Sequence, residues 1–451
     1  MLNEIGVSSI EDLFSDIPEH LRLSKPLKLP PSSTEWELSS SVEEILNKNR
    51  TYPEYPCFLG GGIAPHYVPA AVDAITSRSE FYTAYTPYQP EISQGMLQTL
   101  FEYQSLICDI TGMDAANCSM YDWGSALGEA ARMAARVKHK RNIVVSASCG
   151  PERLDVLRTY CKPTGIEIKV ADFDWQTGES STEKILDLFD DSTAAVYIEN
   201  PNFFGVIETQ AASLAKEIHS RDALMIVGID PISLGVLKSP GNYGADIVVG
   251  DGQSIGLHMN FGGPTIGVFA ARGDLSFLRE MPGRIIGLTS TQESNQRGFS
   301  MILQTREQHI RREGATSNIC TNQSLLAVSV AAYLSLIGGE GLRKIGVKIL
   351  SNSHLAAEQI ASLDEVKSPL FTGAFFKEFV VGILGKKEKQ RTTTDLHLRL
   401  GLRGIHAAYP LGQYFEGLKD SAIFCVTEIH KREEIEQLVL ALSSELRDQD
   451  V

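Results

Sequence analysis

Residues 246–272, DIVVGDGQSIGLHMNFGGPTIGVFAAR, decide the reading of this chain. An apolar, β-branched run at 246–250 enters a glycine-rich loop, and a second such run follows at 265–271. Open α/β sheets gather their chemistry beyond the carboxyl ends of their strands, so the loop after Gly250 is where a reactive group is expected. It offers Gln253, Ser254 and His258 and no lysine. No lysine occurs anywhere between Lys238 and Lys344. Without a primary amine, none of these side chains can form a Schiff base.

Outward from this stretch the chain alternates. Apolar runs at 142–148, 166–171, 194–199 and 223–230 read as short buried strands. Helical patterns at 92–111, 125–140, 151–160, 182–189 and 210–220 lie before or between them. That order implies right-handed crossovers and a mostly parallel, covered sheet. Two long helices are predicted at 321–337 and 340–363. A smaller α+β piece follows, with strands at 378–384 and 422–428, helices at 393–400 and 431–447, and a charged tip GKKEKQR between the first strand and helix. The expected division is an N-terminal arm over 1–50, a large domain over 51–340 and a small C-terminal domain over 341–451. In the arm, short amphipathic patterns at 9–13 and 41–46 flank a proline-rich stretch at 25–33 that should run extended. It reads equally as an arm embracing another subunit and as a loose terminus.

A net charge of −15 disfavours a nucleic-acid partner. The seven cysteines are scattered without metal spacing, as expected of reduced thiols in a cytoplasmic protein. The first twenty residues lack a signal-peptide pattern, and the longest apolar stretch, 325–337, is too short to span a bilayer.

Several tracts carry candidate chemistry, each with a plain alternative. FLGGGIAPHYVP, 58–69, sets three glycines before His66, for close backbone approach to an anion or for a tight turn. FYTAYTPYQPEISQG, 81–95, holds Tyr82, Tyr85 and Tyr88 around two prolines, suiting a ligand wall or a subunit interface. In SMYDWGSALGE, 119–129, Asp122 or Ser125 can cap a helix whose free amides face an anion, although Trp123 would crowd a phosphate. Asp230 ends a predicted strand, where an acid can pair with a pyridinium nitrogen or merely open a turn with Pro231. GQSIG, 252–256, matches a nucleophile elbow and keeps a serine hydrolase using Ser254 as an alternative, but GLHMNFGGP is a poor start for the helix an elbow requires. Arg297, Arg306, Arg311 and Arg312 lie in one stretch, the last three with Glu307 on a helical pattern, for internal salt bridges or an anion-reading patch.

Taken together, FLGGGIAPHYVP, TAYTPYQPEISQG, NCSMYD, ENPNFFG, DPISLGVLKSPGNYGADIVVGDGQSIG, FGGP and RGFSMILQTREQHIRR with SNICTNQ closely resemble the P-protein of the glycine cleavage system, subunit 1 of its two-subunit form. The resemblance implies a pyridoxal-phosphate fold-type I architecture with a mostly parallel seven-stranded sheet. It implies decarboxylation of glycine with transfer of the aminomethyl group to the lipoyl arm of H-protein, in an α2β2 assembly with subunit 2. The pyridoxal phosphate and its lysine would belong to subunit 2, with Ser254 at the lysine-equivalent position here. His66, Tyr85, Tyr88 and Asn318 would reach the shared site, and Gly60, Gly61, Gly62, Gly262 and Gly263 would allow close backbone approach. No metal is implied, and no residue of this chain alone is catalytic. Two departures from the family pattern stand out: Tyr121-Asp122-Trp123-Gly124-Ser125 where YDGAT is usual, and Gly314 where a lysine is usual. They keep open a non-catalytic scaffold or regulatory protein on the same fold.

Overall fold

The computed structural model describes residues 1–23, 25–261, 263–290, 296–317, 319–384 and 392–447. The apolar runs pair into a seven-stranded sheet. Its strands are β1 (Ala115–Ala116), β2 (Asn142–Ser146), β3 (Glu167–Ala171), β4 (Thr193–Glu199), β5 (Leu224–Ile229), β6 (Ile247–Asp251) and β7 (Gly267–Ala271). The order is β1-β7-β6-β5-β4-β2-β3. From β3 to β6 the pairs are parallel, while β7 runs antiparallel to β6 and β1 to β7. Register pairs Asp251 with Gly267, so residues 252–266 form a loop at the carboxyl edge of β6, beside the end of β5 where Asp230 lies.

Side-chain alternation splits the strands between two cores. Val144, Val196, Ile198 and Val227 face a layer built with the helix Gln94–Thr111 and the long helix Ser324–Ala361. Ile143, Val145, Tyr197 and Ile226 face the helix Trp123–Lys138. Burying both faces explains why the strands read as continuous apolar runs.

The two long helices predicted at 321–337 and 340–363 are both present within Ser324–Ala361 and meet at a kink at Gly338, whose φ 59° and ψ −178° are not helical. Taken across that kink, the segment is long and apolar enough to cross a membrane, unlike the run 325–337 taken alone, yet it packs its apolar face into the protein cores. Beyond it, β10 (Val366–Lys367), β11 (Glu378–Ile383), β12 (Tyr409–Pro410) and β13 (Ser421–Cys425) form an antiparallel sheet in the order β10-β11-β13-β12. The helices Thr393–Leu402 and Arg432–Arg447 cover it. The tip at 385–391 lies outside the described residues.

The arginine-rich stretch departs from expectation. β8 (Ile285–Ser290) and β9 (Arg297–Ile302) make a hairpin, and only single turns follow, at Gln304–Arg306, Gln308–Arg311 and Arg312–Gly314. Their 3.6-residue spacing is overridden because Arg306 and Glu307 are drawn inside, the guanidinium donating to the carbonyls of Met281 and Gly283.

Met1–Thr51 is a compact unit separate from Tyr52–Val451. Its main element is the helix Glu35–Leu46, which a reciprocal Thr34–Glu37 capping box starts. No described residue of this unit is buried, and Trp36, Leu38, Val42 and Ile45 are exposed.

Candidate functional site

The loop after β6 and the end of β5 meet as the strand order requires. Ser254 donates its hydroxyl proton to Asp230, Oγ to Oδ1 2.6 Å. Gln253 is buried beside it, its amide donating to the Leu257 carbonyl and its oxygen accepting from the Ala64 amide. No imidazole contacts the serine hydroxyl among the described residues, and turns rather than a helix follow it. The nucleophile-elbow geometry is absent.

A lysine does enter this cleft, from far outside the gap in the sequence. Lys377, just before β11, places Nζ 2.7 Å from Asp230 Oδ2. Burial by itself pushes the ammonium toward deprotonation, but the Asp230 charge outweighs it and raises the lysine above its ordinary value. Burial likewise opposes ionisation of Asp230, yet the Lys377 charge and the hydrogen bonds from Lys377 and Ser254 hold it below the usual carboxylate range. Lys377 therefore stays charged at neutral pH and is no nucleophile. Its Nζ also lies 3.4 Å from His66 Nε2, and His66 Nδ1 lies 2.9 Å from Glu428 Oε2. An ammonium only donates, so Nε2 accepts and Nδ1–H donates to Glu428. Burial raises Glu428, but His66 and the Tyr67 amide bring it below its ordinary value. Ser254, Asp230, Lys377, His66 and Glu428 thus form one continuous hydrogen-bonded polar chain.

The space over the sheet is filled the same way. Arg153 clamps Glu199 through two contacts of 2.7 Å, and its guanidinium stacks 4.1 Å from the Trp123 ring centroid. Trp123 Nε1 donates to the Tyr197 hydroxyl at 3.0 Å, which donates to Glu199 at 2.9 Å. Gly60 and Gly61 bring backbone close to a carboxyl group of the chain's own, Glu378, whose Oε1 accepts from the Gly61 amide at 2.7 Å, and a Cβ on Gly60 would meet that same oxygen at 2.7 Å. What remains is a cavity of about 20 Å³ lined by Gly62, Trp123, Arg153, Asp230, Lys377 and Glu378 among others, room for about one water.

Pyridoxal phosphate needs an amine at the loop, a free acid for its ring nitrogen and a slot for its ring. Here the amine is missing, Lys377 holds the acid and Trp123 with Arg153 fills the slot. The residues of this cleft do not fit the cofactor.

The aromatic tract lies elsewhere and is open: Tyr85 is 76% and Tyr88 48% exposed. Asp122 caps the helix at Trp123 as anticipated, with Ser125 completing a capping box. Gly263 has φ +142° with its side-chain position open, and Gly314 sits in an exposed turn. Asn318 and Gly262 lie outside the described residues.

A profile described as "Glycine cleavage system P-protein" matches residues 1–442. The chain belongs to the glycine cleavage system P-protein family. Within it, the chain is 47% identical over 99% of its length to a "Probable glycine dehydrogenase (decarboxylating) subunit 1" of Carboxydothermus hydrogenoformans, covering 97% of that protein. It is 44% identical to the protein of the same description from Saccharolobus solfataricus, covering 99% of this chain and 96% of that one. A crystal structure of glycine decarboxylase (P-protein) of the glycine cleavage system, in inhibitor-bound form, superposes with TM-score 0.88 at 39% identity over 98% of this chain and 97% of that one. A Burkholderia pseudomallei sphingosine-1-phosphate lyase shares only the fold, at TM-score 0.68, 15% identity and 96% coverage of each chain. The P-protein chain described here is thus a glycine dehydrogenase (decarboxylating) subunit of the subunit 1 kind, on the pyridoxal-phosphate fold-type I architecture.

Lys377, Arg153, Glu199, Glu378 and Glu428 were not legible as site residues. The one signal was FFKEFVV, 375–381, where two adjacent charges interrupt an apolar strand; charges there must be paired if they face inward.

Proposed function

We propose that this chain is the half of a two-subunit glycine decarboxylase that lacks the cofactor-bearing lysine. Subunit 2 holds the pyridoxal phosphate on its own lysine, the two chains assemble as α2β2, and together they decarboxylate glycine and pass the aminomethyl group to the lipoyl arm of H-protein. The supporting observation is the Lys377–Asp230 pair: the acid that would serve the cofactor nitrogen is neutralised internally. This chain's contribution then lies on its open face, where Tyr85 and Tyr88 are exposed. Seven unpaired cysteines suit a reducing compartment, in keeping with a cytoplasmic location.

The test is co-purification with subunit 2 and glycine–bicarbonate exchange with H-protein. Activity in the mixture alone, with borohydride fixing the cofactor to subunit 2 only, supports the reading. Cofactor fixed to this chain, or exchange by this chain alone, overturns it. Assembly without exchange would turn the reading toward a scaffold.

A further inference from the structure

Arg284, immediately before β8, is a buried cation without a carboxylate partner among the described residues. It is 7% exposed, and each of its hydrogen-bond acceptors among the described residues is neutral. Its Nη2 donates to the Cys320 carbonyl at 2.6 Å and the Tyr88 hydroxyl at 3.1 Å. Its Nη1 makes only long contacts, 3.4 Å to Asn322 Oδ1 and 3.5 Å to Thr86 Oγ1. The other buried cations are treated differently: Lys377 has Asp230 at 2.7 Å, and Arg306 has Glu307 at 3.7 Å. Glu307, the carboxylate whose ionisation Arg284 favours, makes its ion pair with Arg306 instead.

The neighbouring hydroxyls point to what is missing. Thr86 Oγ1 and Tyr88 Oη both accept from Arg284, and neither donates its own proton to a described group. A weakly held guanidinium edge and two unspent O–H donors, opening at the half-exposed Tyr88, form a receptor for a small oxyanion. A purely structural arginine would be expected to meet an acid, as Arg153 meets Glu199, or to spend both edges on short bonds.

We propose that Arg284, with the hydroxyls of Thr86 and Tyr88, is an oxyanion-binding site. Its ligand is a phosphate monoester or a carboxylate, completed when the face carrying Tyr85 and Tyr88 meets its partner. The two sources, a cofactor phosphate held by the partner or the substrate carboxylate, rest on the half-site reading above; the anion site itself does not.

The test has two arms. In the first, the full chain is titrated with inorganic phosphate by equilibrium dialysis. Saturable binding that weakens by about tenfold or more in Arg284→Gln, and in part in the milder Tyr88→Phe, is expected, the scale of one lost charge-assisted hydrogen bond. No phosphate binding by the unaltered chain, or equal binding by both variants, overturns the site. In the second arm the variants are assembled with subunit 2. A weaker apparent affinity for pyridoxal phosphate with unchanged KM for glycine assigns the cofactor phosphate; the reverse assigns the carboxylate; neither change overturns the proposal. An inactive assembly of unaltered chains would sink the half-site reading, while the phosphate titration would still decide the anion site.

Discussion

Lys377 and Asp230 stand 2.7 Å apart across the cleft, joining the antiparallel sheet to the carboxyl end of β5. The sequence separates them widely, yet each settles the other's charge. Lys377→Met removes one partner and leaves a carboxylate in a closed site, which is expected to cost about 3–5 kcal/mol. Replacing both, as in Lys377→Met with Asp230→Asn, should recover most of that. Urea unfolding of the full chain measures it; a single variant as stable as the parent would show that the pair contributes little.

Restoring the amine should not restore the cofactor. Ser254→Lys puts a lysine where the proposed reading places the partner's cofactor lysine, but Lys377 still holds Asp230 and Trp123 still lies under Arg153. After incubation with pyridoxal phosphate and borohydride, mass spectrometry is expected to find no pyridoxyl group at residue 254. Stoichiometric labelling there would refute the filled-cleft account.

Gly205, in the ENPNFFG motif, packs where no side chain fits. Its φ is +81°, and an added Cβ would lie 1.9 Å from the Glu378 carbonyl oxygen. Gly205→Ala combines left-handed strain with a backbone clash and is expected to destabilise by about 3 kcal/mol. Because the clash falls on the strand that begins beside Lys377, thermal unfolding is the direct readout.

Stability should depend on pH through Glu208 and be insensitive to the Lys377 pair at neutral pH. Asp230 is depressed, so its contribution is present above its ordinary value of 3.8 and fades as pH falls through the folded value. Lys377 is raised, so its contribution is present below 10.5 and is lost as pH rises through the folded value. Glu208 behaves oppositely to Asp230. Burial pushes it up to about 7, against the donors Asn202 and Ser180, so the folded state holds a proton that the unfolded state releases near 4.5. Stability is therefore expected to decline as pH rises from 4.5 to about 7, and Glu208→Gln should flatten that slope. Denaturation midpoints across this range measure it; an unchanged slope in the variant would rule the glutamate out.

Tyr85 is 76% exposed and makes no described polar contact, so truncating it should leave this chain's own stability within about 0.5 kcal/mol. If the tyrosine face meets subunit 2, Tyr85→Ala should still lower exchange activity or assembly of the mixture by about tenfold, a hot-spot loss. Equal exchange rates and equal assembly for both forms would remove Tyr85 from the shared surface.

The sheet was legible because its strands are buried on both faces and so stand out as apolar runs, and the helices because their stripes and caps are local. The β8–β9 hairpin was not, since its strands are short and partly exposed, and the arginine spacing after it imitated a helix. At the site, local chemistry identified Asp230, Ser254 and the glycines of 60–62 as placed at a strand end or a turn. Their partners were hidden.

By itself, the sequence determined the absence of an amine after β6, the parallel α/β order and the family, all properties of consecutive residues. Only the tertiary structure decided what became of the cleft. Lys377 reaches Asp230 and Arg153 reaches Glu199 from different elements, while Glu378 is met by the Gly61 amide, because burial leaves no charged or polar group without a partner at low cost. Which charge answers which is fixed by where the chain returns in space, and no spacing along the chain records it.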